Sequence, residues 1–122
     1  MKHNIDHTQC RTKLMAMEDA LYVIGGKWKL KVLLSLEDGA IRFNELQRSI
    51  GGISAKVLSS ELKDLEENGF VTRKIYTDQF PVVVEYERTD YSYTLNEVIK
   101  TLVVWGEMHQ KKVREMHLVP TV

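Results

Sequence analysis

The apolar residues of this chain recur at helical spacing over most of its length and alternate as in β-strands in one stretch past the middle. The first predicted helix ends at Gly25-Gly26 and carries an apolar stripe of Leu14, Met17, Leu21 and Ile24. A second helix, from Trp28 to Leu36, is apolar nearly all round, which predicts that it is the buried central helix. Met1 to Thr12 is polar without periodicity, which predicts a flexible arm or an irregular helix start.

Between residues 42 and 69 the pattern predicts a short helix, a tight glycine turn and a longer helix. One face of the short helix is apolar and holds Phe43, Leu46 and Ile50, after which Gly51-Gly52 breaks the helix. Ser54 stands at the N-cap position of the longer helix, with its hydroxyl available to a free backbone amide. The core stripe of that helix is Ala55, Leu58, Leu62 and Leu65, and its stop signal is Gly69. This is the helix-turn-helix pattern, whose second helix can enter the DNA major groove.

The residues after this helix pair predict a β-hairpin and then a long helix. Residues 71–76 and 82–88 are rich in β-formers, and residues 77–81 form the hairpin tip. Helical spacing returns from Leu95 onward. The predicted fold is mainly α with a small β-hairpin wing (α+β), that is, a winged helix-turn-helix with terminal dimerisation helices. We expect one domain over 1–122, with an arm and helix at about 1–24, the winged helix at about 27–88 and the last helix at about 93–117.

Composition and charge narrow the function classes. The chain has 122 residues, of which 43% are apolar, as in an ordinary folded protein. No apolar run approaches the roughly 20 residues that cross a bilayer, and the chain start lacks a signal-peptide core, so we expect a cytoplasmic protein without a membrane partner. Lys plus Arg and Asp plus Glu both total 17, and this zero net charge counts mildly against DNA binding. The placement of the charges along the chain, rather than their sum, must therefore decide for or against DNA binding.

The longer helix of the pair carries a basic and hydroxyl face opposite its leucines. Lys56, Ser60 and Lys63 lie on that face and Ser59 at its edge, next to the N-cap Ser54. Lysine pairs with phosphates or guanine edges, and serine bonds to either. The alternative interpretation is an ordinary solvated helix face. The residues suited to phosphate contacts around it are Arg42, Arg48, Arg73, Lys74 and Arg88.

Several linked segments resemble the HxlR family of winged-helix regulators, which are related to the MarR group. The segments are Gly25–Lys29, Arg42–Leu46, Gly52–Leu58, Leu62–Glu66 and Gly69–Arg73, followed by Tyr76, Pro81 and Val84-Glu85-Tyr86. The resemblance covers roughly Cys10 to Trp105. It implies a bacterial transcription regulator that binds a pseudo-palindromic operator in double-stranded DNA as a homodimer. Two departures stand out: Ser92 occupies the place of a usual glycine after the wing, and Cys10 is followed by Arg11 rather than proline.

The same resemblance implies dimerisation through the terminal helices. The residues expected at that interface are Leu14, Leu95, Ile99, Leu102 and Trp105. The last helix presents more apolar surface than a small domain can easily bury alone, and closed two-fold pairs are the commonest assembly. The alternative is that this helix folds back on its own core.

Cys10 is the candidate for regulation, because several proteins of this family sense oxidants or electrophiles with the matching cysteine. Arg11 and Lys13 would favour its thiolate, whereas a lone cysteine is more often a packed apolar residue. The effector is unknown: the alternative to modification of Cys10 is a small molecule at the dimer interface. His3, His7 and Cys10 have a spacing that zinc or copper could use, yet we expect neither a metal nor a cofactor.

No catalytic set stands out in the sequence, so we expect a protein that is not an enzyme. A thiol enzyme built on Cys10 is the enzymatic alternative, and it lacks an identifiable base. A winged-helix module that binds proteins rather than DNA is the other alternative, and the zero net charge favours it.

Overall fold

The computed structural model describes residues 7–117 and has the predicted mainly α fold with a small wing. Its elements are α1 (His7–Ile24), α2 (Lys29–Ser35), β1 (Ile41–Arg42), α3 (Phe43–Ile50), α4 (Ala55–Glu67), β2 (Val71–Tyr76), β3 (Val83–Arg88), a 3-10 helix (Tyr91–Leu95) and α5 (Asn96–His117). Of the two alternatives predicted for Met1 to Thr12, residues 7–12 form a helix start, since α1 begins at His7, and residues 1–6 lie outside the described residues.

The wing is a hairpin of β2 and β3 to which β1 adds a third, antiparallel strand in the order β1-β3-β2. Val71 pairs with Arg88 and Tyr76 with Val83 along the hairpin, and Ile41 pairs with Tyr86. The sequence pattern did not predict β1, because its two residues are too few to show an alternation. This strand joins the start of α3 to the wing.

A single cluster of buried side chains connects the two helices of the predicted pair with α2 and the wing. Its most deeply buried members are Val32, Leu33, Leu36, Leu46, Leu58, Leu62, Leu65 and Val71, each at most 1% exposed. The leucine stripe of α4 is therefore confirmed. Ala55 was also predicted in the stripe, but it is exposed, because the first turn of α4 projects beyond the core. The cluster fixes the orientation of α4 relative to the rest of the molecule.

Local signals set both ends of α4. The Ser54 hydroxyl accepts a hydrogen bond from the Val57 amide at 3.1 Å, as an N-cap does. At the other end the Phe70 amide donates to the Leu65 carbonyl, and the Gly69 amide donates to the Glu66 carbonyl. This pair of hydrogen bonds requires a residue with a left-handed backbone conformation just after the helix, and Gly69 has a φ of +81°. The residues that flank α4 therefore determine where this helix begins and ends.

The terminal helices pack differently from the centre. Helix α5 runs for 22 residues without a single buried one, and α1 exposes Leu14, Met17 and Leu21 by 47–59%. Nowhere between residues 7 and 117 is there a helix of the length and apolarity that a membrane span requires. The exposed apolar side chains of α1 and α5 therefore form surfaces without a partner in this single chain.

Candidate nucleic-acid interface

The surface of α4 opposite the core holds the residues predicted to touch DNA. Ser54, Lys56, Ser59, Ser60 and Lys63 are all exposed, while Leu58 and Leu62 on the other side of the helix are buried. This face carries no carboxylate until Glu67, and it lies at the N-terminal end of a capped helix, where the positive end of the helix dipole favours anions. The arrangement can present lysine and hydroxyl groups together to a polyanion.

Lys29 on α2 pairs with two carboxylates on the flank of α4 and offsets part of their charge. Its Nζ lies 2.9 Å from Glu61 Oε2 and 3.5 Å from Asp64 Oδ2, and its side chain is only 14% exposed. The hydrogen bond to Glu61 raises the pKa of Lys29 against the opposing effect of burial, so the ammonium stays charged. The lysine thereby orients α4 on α2 and reduces the negative potential beside the Lys56–Lys63 face.

A cavity of about 460 Å³ opens between the start of α3, helix α4 and the wing. Arg42 and Arg73 line it from opposite elements, together with Asn44 and Ser59. Two guanidiniums with neutral donors between them suit a phosphate, because arginine donates in a fork that matches phosphate oxygens. Val82, Val84 and Tyr86 contribute apolar surface to the same lining.

Arg48 and Lys74 are both exposed but have different surroundings. Arg48 is exposed in the last turn of α3. The ammonium of Lys74 forms an exposed ion pair at 3.4 Å with Glu87 across the wing, which reduces the charge it offers to DNA. On the neighbouring stretch of the wing, a hydrogen bond to Glu85 raises the pKa of the Tyr76 phenol.

The prediction that Arg88 contacts phosphates is wrong. Arg88 is only 6% exposed, and its Nε donates to Ser92 Oγ at 2.9 Å while its Nη2 donates to Ser92 O at 2.8 Å. The physical reason is strand alternation: Arg88 follows Tyr86 by two residues and therefore shares the core-facing side of β3. The side chain joins the wing to the start of α5.

The structure adds residues that sequence reasoning had not singled out for this surface. Lys29 and Asn44 came to light through their contacts and their place in the cavity. Phe80 at the hairpin tip is fully exposed, with a relative accessibility of 101%. A phenylalanine in a predicted turn was the available signal, since apolar side chains at loop tips have no core to enter.

The predicted regulatory and dimerisation residues lie on the terminal helices α1 and α5, except for Leu95 at the end of the 3-10 helix before α5. Cys10 is exposed on α1 and shares one helical face with Leu14, Met17 and Leu21. Leu102 and Trp105 are about half exposed on α5. Leu95 and Ile99 are half-buried, and Leu95 packs against the core of its own chain, so it offers less surface than predicted. His3 lies outside the described residues, and no cluster of three metal-ligand residues occurs among those described.

A helix pair, a basic face on its second helix and a three-stranded wing define the winged helix-turn-helix class. The profile of the HxlR-like helix-turn-helix family matches residues 23–114. The chain therefore belongs to the HxlR family. It is 50% identical over 91 residues to an HTH-type transcriptional regulator of Halalkalibacterium halodurans, covering 74% of this chain and 80% of the relative. It is 35% identical over 115 residues to the HTH-type transcriptional regulator YdeP of Bacillus subtilis, covering 94% and 89%.

Solved structures with the same fold include two redox-related regulators. The redox regulator HypR in its reduced form superposes with a TM-score of 0.74 at 36% identity, covering 82% of this chain and 98% of that one. The reduced form of the transcriptional regulator YodB from B. subtilis has a TM-score of 0.68 at 34% identity, covering 75% and 89%.

Proposed function

We propose that this protein is a sequence-specific transcriptional regulator that binds double-stranded DNA through α4 and the wing. The observation that carries the proposal is the exposed Lys56, Ser60 and Lys63 face on a helix held from behind by buried leucines. The zero net charge does not oppose this proposal, because Lys29 offsets part of the charge of the neighbouring carboxylates Glu61 and Asp64, and Lys56 and Lys63 share one exposed face of α4. Transcriptional regulators among the relatives support the same function.

In this proposal the groups on the interface have distinct roles. Lys56, Ser60 and Lys63 reach base edges and adjacent phosphates in the major groove. Arg42 and Arg73 hold one phosphate at the mouth of the cavity between α3 and the wing. Arg48 and Lys74 add weaker backbone contacts, and Phe80 lies against the sugar edge of the neighbouring minor groove.

The regulator acts as a homodimer that pairs through α1 and α5. It does so in the cytoplasm, where it meets its DNA operator. Val98, Leu102 and Trp105 lie on one face of α5 at i, i+4 and i+7, each 42–56% exposed. Contiguous apolar surface of this kind is rare on monomers. A two-fold pair would place the two α4 helices about one DNA turn, roughly 34–36 Å, apart on a pseudo-palindrome.

Selection of duplexes from a random pool tests the function directly. The wild-type protein should enrich a palindrome, and Lys56→Ala should weaken binding to it by roughly 1–3 kcal/mol if that lysine reads a base. Lys111→Ala, an equal loss of charge on the exposed surface of α5, is the matched control and should bind like the wild type. A Lys56→Ala, Lys63→Ala double variant with unchanged affinity would contradict the proposal, as would a pool without an enriched sequence.

The exposure of Cys10 favours redox or electrophile control as the mode of regulation. The thiol stands on the α1 face that carries Leu14 and Met17, so its modification would act at the proposed dimer interface. A disulfide at Cys10 must join two protomers or add a small thiol, because the chain has one cysteine. The likeness to the redox regulator HypR supports this mode.

Comparison of wild type with Cys10→Ser separates the two candidate effectors. After mild peroxide or quinone treatment the wild type should lose operator affinity, while Cys10→Ser should keep it. Equal behaviour of the two proteins would contradict control through Cys10 and favour a small molecule between the terminal helices.

A further inference from the structure

A guanidinium is buried at the junction of β3, α2 and the start of α5 without an acidic partner. Arg88 is 6% exposed, and its bonds run to the neutral oxygens of Ser92 and Asn96 and to the face of Tyr93. The ion pairs between residues 7 and 117 involve Lys29 and Lys74 and leave Arg88 without a carboxylate. Burial of an unpaired charge is costly, and neutral acceptors offset only part of that cost. An anion at this place would stabilise the fold.

One nitrogen of the guanidinium remains available. Nε and Nη2 make the bonds to Ser92 and Asn96, whereas Nη1 bonds to none of the described residues. No fully buried side-chain nitrogen in the described part of the chain lacks a partner. Nη1 is therefore not sealed in the core but borders accessible space.

Arg88 also lines a cavity of about 230 Å³, together with Leu34, Glu37, Asn96, Ile99 and Lys100. It is smaller than the roughly 300–1,000 Å³ of drug-sized sites, so it suits a ligand of a few carbon atoms. Arg88 and Lys100 supply positive charge, and Leu34 and Ile99 supply apolar surface. A single carboxylate, Glu37, stands in the same lining and disfavours a ligand with two negative charges.

We propose that this cavity binds a small organic monocarboxylate. The ligand carboxylate pairs with Arg88 and Lys100, and its aliphatic body lies against Leu34 and Ile99. The site is separate from the α4 face and does not depend on DNA binding. The cavity borders the wing strand at Arg88 and the terminal helix at Asn96. A bound ligand therefore stiffens the junction between the proposed DNA-binding and dimerisation surfaces.

A titration followed by backbone amide NMR tests the proposal with 3-methylbutanoate and its neutral amide. The carboxylate should cause saturable shifts at Ser92, Asn96 and Lys100, and the isosteric amide should not. Equal responses to both ligands would overturn the proposal. So would shifts centred on Arg42 and Arg73, which would place the anion in the wing cavity instead.

Variants of the cavity lining and of α5 identify which positive charges bind the carboxylate. Lys100→Gln should weaken binding of 3-methylbutanoate about threefold, as expected of one exposed ion pair. Arg88→Gln should weaken it about tenfold or more, because a charge-assisted bond at a buried group is lost. Lys111→Gln on the same helix is the control and should bind as the wild type does. If Arg88→Gln does not fold, Lys100→Gln decides, and wild-type affinity in that variant would overturn the assignment.

Discussion

The winged-helix centre and the terminal helices contain similar apolar stripes, but the terminal helices leave most of theirs exposed. Leu58, Leu62 and Leu65 of α4 are at most 1% exposed, whereas Leu102 on α5 and Leu21 on α1 are 49% and 59% exposed. The centre thus completes its core within one chain. The terminal helices carry the apolar spacing of a core without the elements that would cover it. The difference is the basis for the proposed division of work, with recognition in the centre and pairing of chains at the ends.

The largest effect expected in the centre is from removal of a core leucine. Leu62→Ala should lower the free energy of unfolding by about 2–5 kcal/mol, because it leaves a cavity among fully buried neighbours. Urea denaturation measures this. The matched control is Leu34→Ala on α2, whose side chain is 44% exposed and should cost less than about 1.5 kcal/mol. Equal losses in the two variants would remove the distinction between buried and uncovered leucines.

A charge placed on the terminal helices should act on assembly rather than on the fold. Leu102→Asp should weaken dimerisation by about 2–4 kcal/mol, because a carboxylate would be desolvated in the interface. Sedimentation at micromolar concentration measures the shift toward monomer. Lys111→Asp puts the same carboxylate on the opposite face of α5 and should assemble as the wild type does. A wild type that sediments as a monomer would break the comparison outright.

The ion pairs between α2 and α4 should contribute less to the free energy of unfolding, and this contribution should depend on pH. Lys29→Met should cost about 1–3 kcal/mol of unfolding free energy near neutral pH, because Glu61 and Asp64 lose their partner. The folded pKa of Lys29 is raised above its usual 10.5, so its contribution is fully present below that pH and is lost as the pH rises through the folded value. Denaturation of both proteins between pH 7 and 11 should show a constant difference that narrows above about 10.5. A difference independent of pH throughout that range would contradict this role of the ammonium.

The smallest effect is expected at the exposed thiol of α1. Cys10→Ser should change the free energy of unfolding of the reduced protein by no more than about 0.5 kcal/mol, since the side chain is exposed. Thermal denaturation under reducing conditions provides the measurement. A loss above 2 kcal/mol would instead identify Cys10 as a packed structural residue.

The sequence predicted the elements of the centre well because their signals are local. The Ser54 cap, the Gly69 stop and the leucine spacing each act within one or two turns, and all three are confirmed in the structure. The two-residue strand β1 escaped prediction because it exists only through its pairing with β3. Arg88 was misplaced for a different reason. Its charge indicated surface, while its position two residues after Tyr86 turns it toward the core, where Ser92 and Asn96 accept hydrogen bonds from Nε and Nη2.

The candidate interface was predictable in part. Helical periodicity placed Lys56 and Lys63 on the exposed face of α4, where the structure has them. The cavity between Arg42 and Arg73 and the bridge from Lys29 to Glu61 depend on how separate elements meet, and periodicity within one element carries no such information.

The most direct test of the division between centre and ends compares Leu102→Asp with the wild type on two duplexes. One duplex carries the full selected palindrome and the other a single half-site. We expect equal affinities of both proteins for the half-site, because α4 and the wing are unchanged, and a loss of about 100-fold or more by the variant on the full palindrome, where linked binding of two protomers is lost. Lys111→Asp should follow the wild type on both duplexes. An equal loss by Leu102→Asp on the half-site and the palindrome would contradict the separation of recognition from pairing.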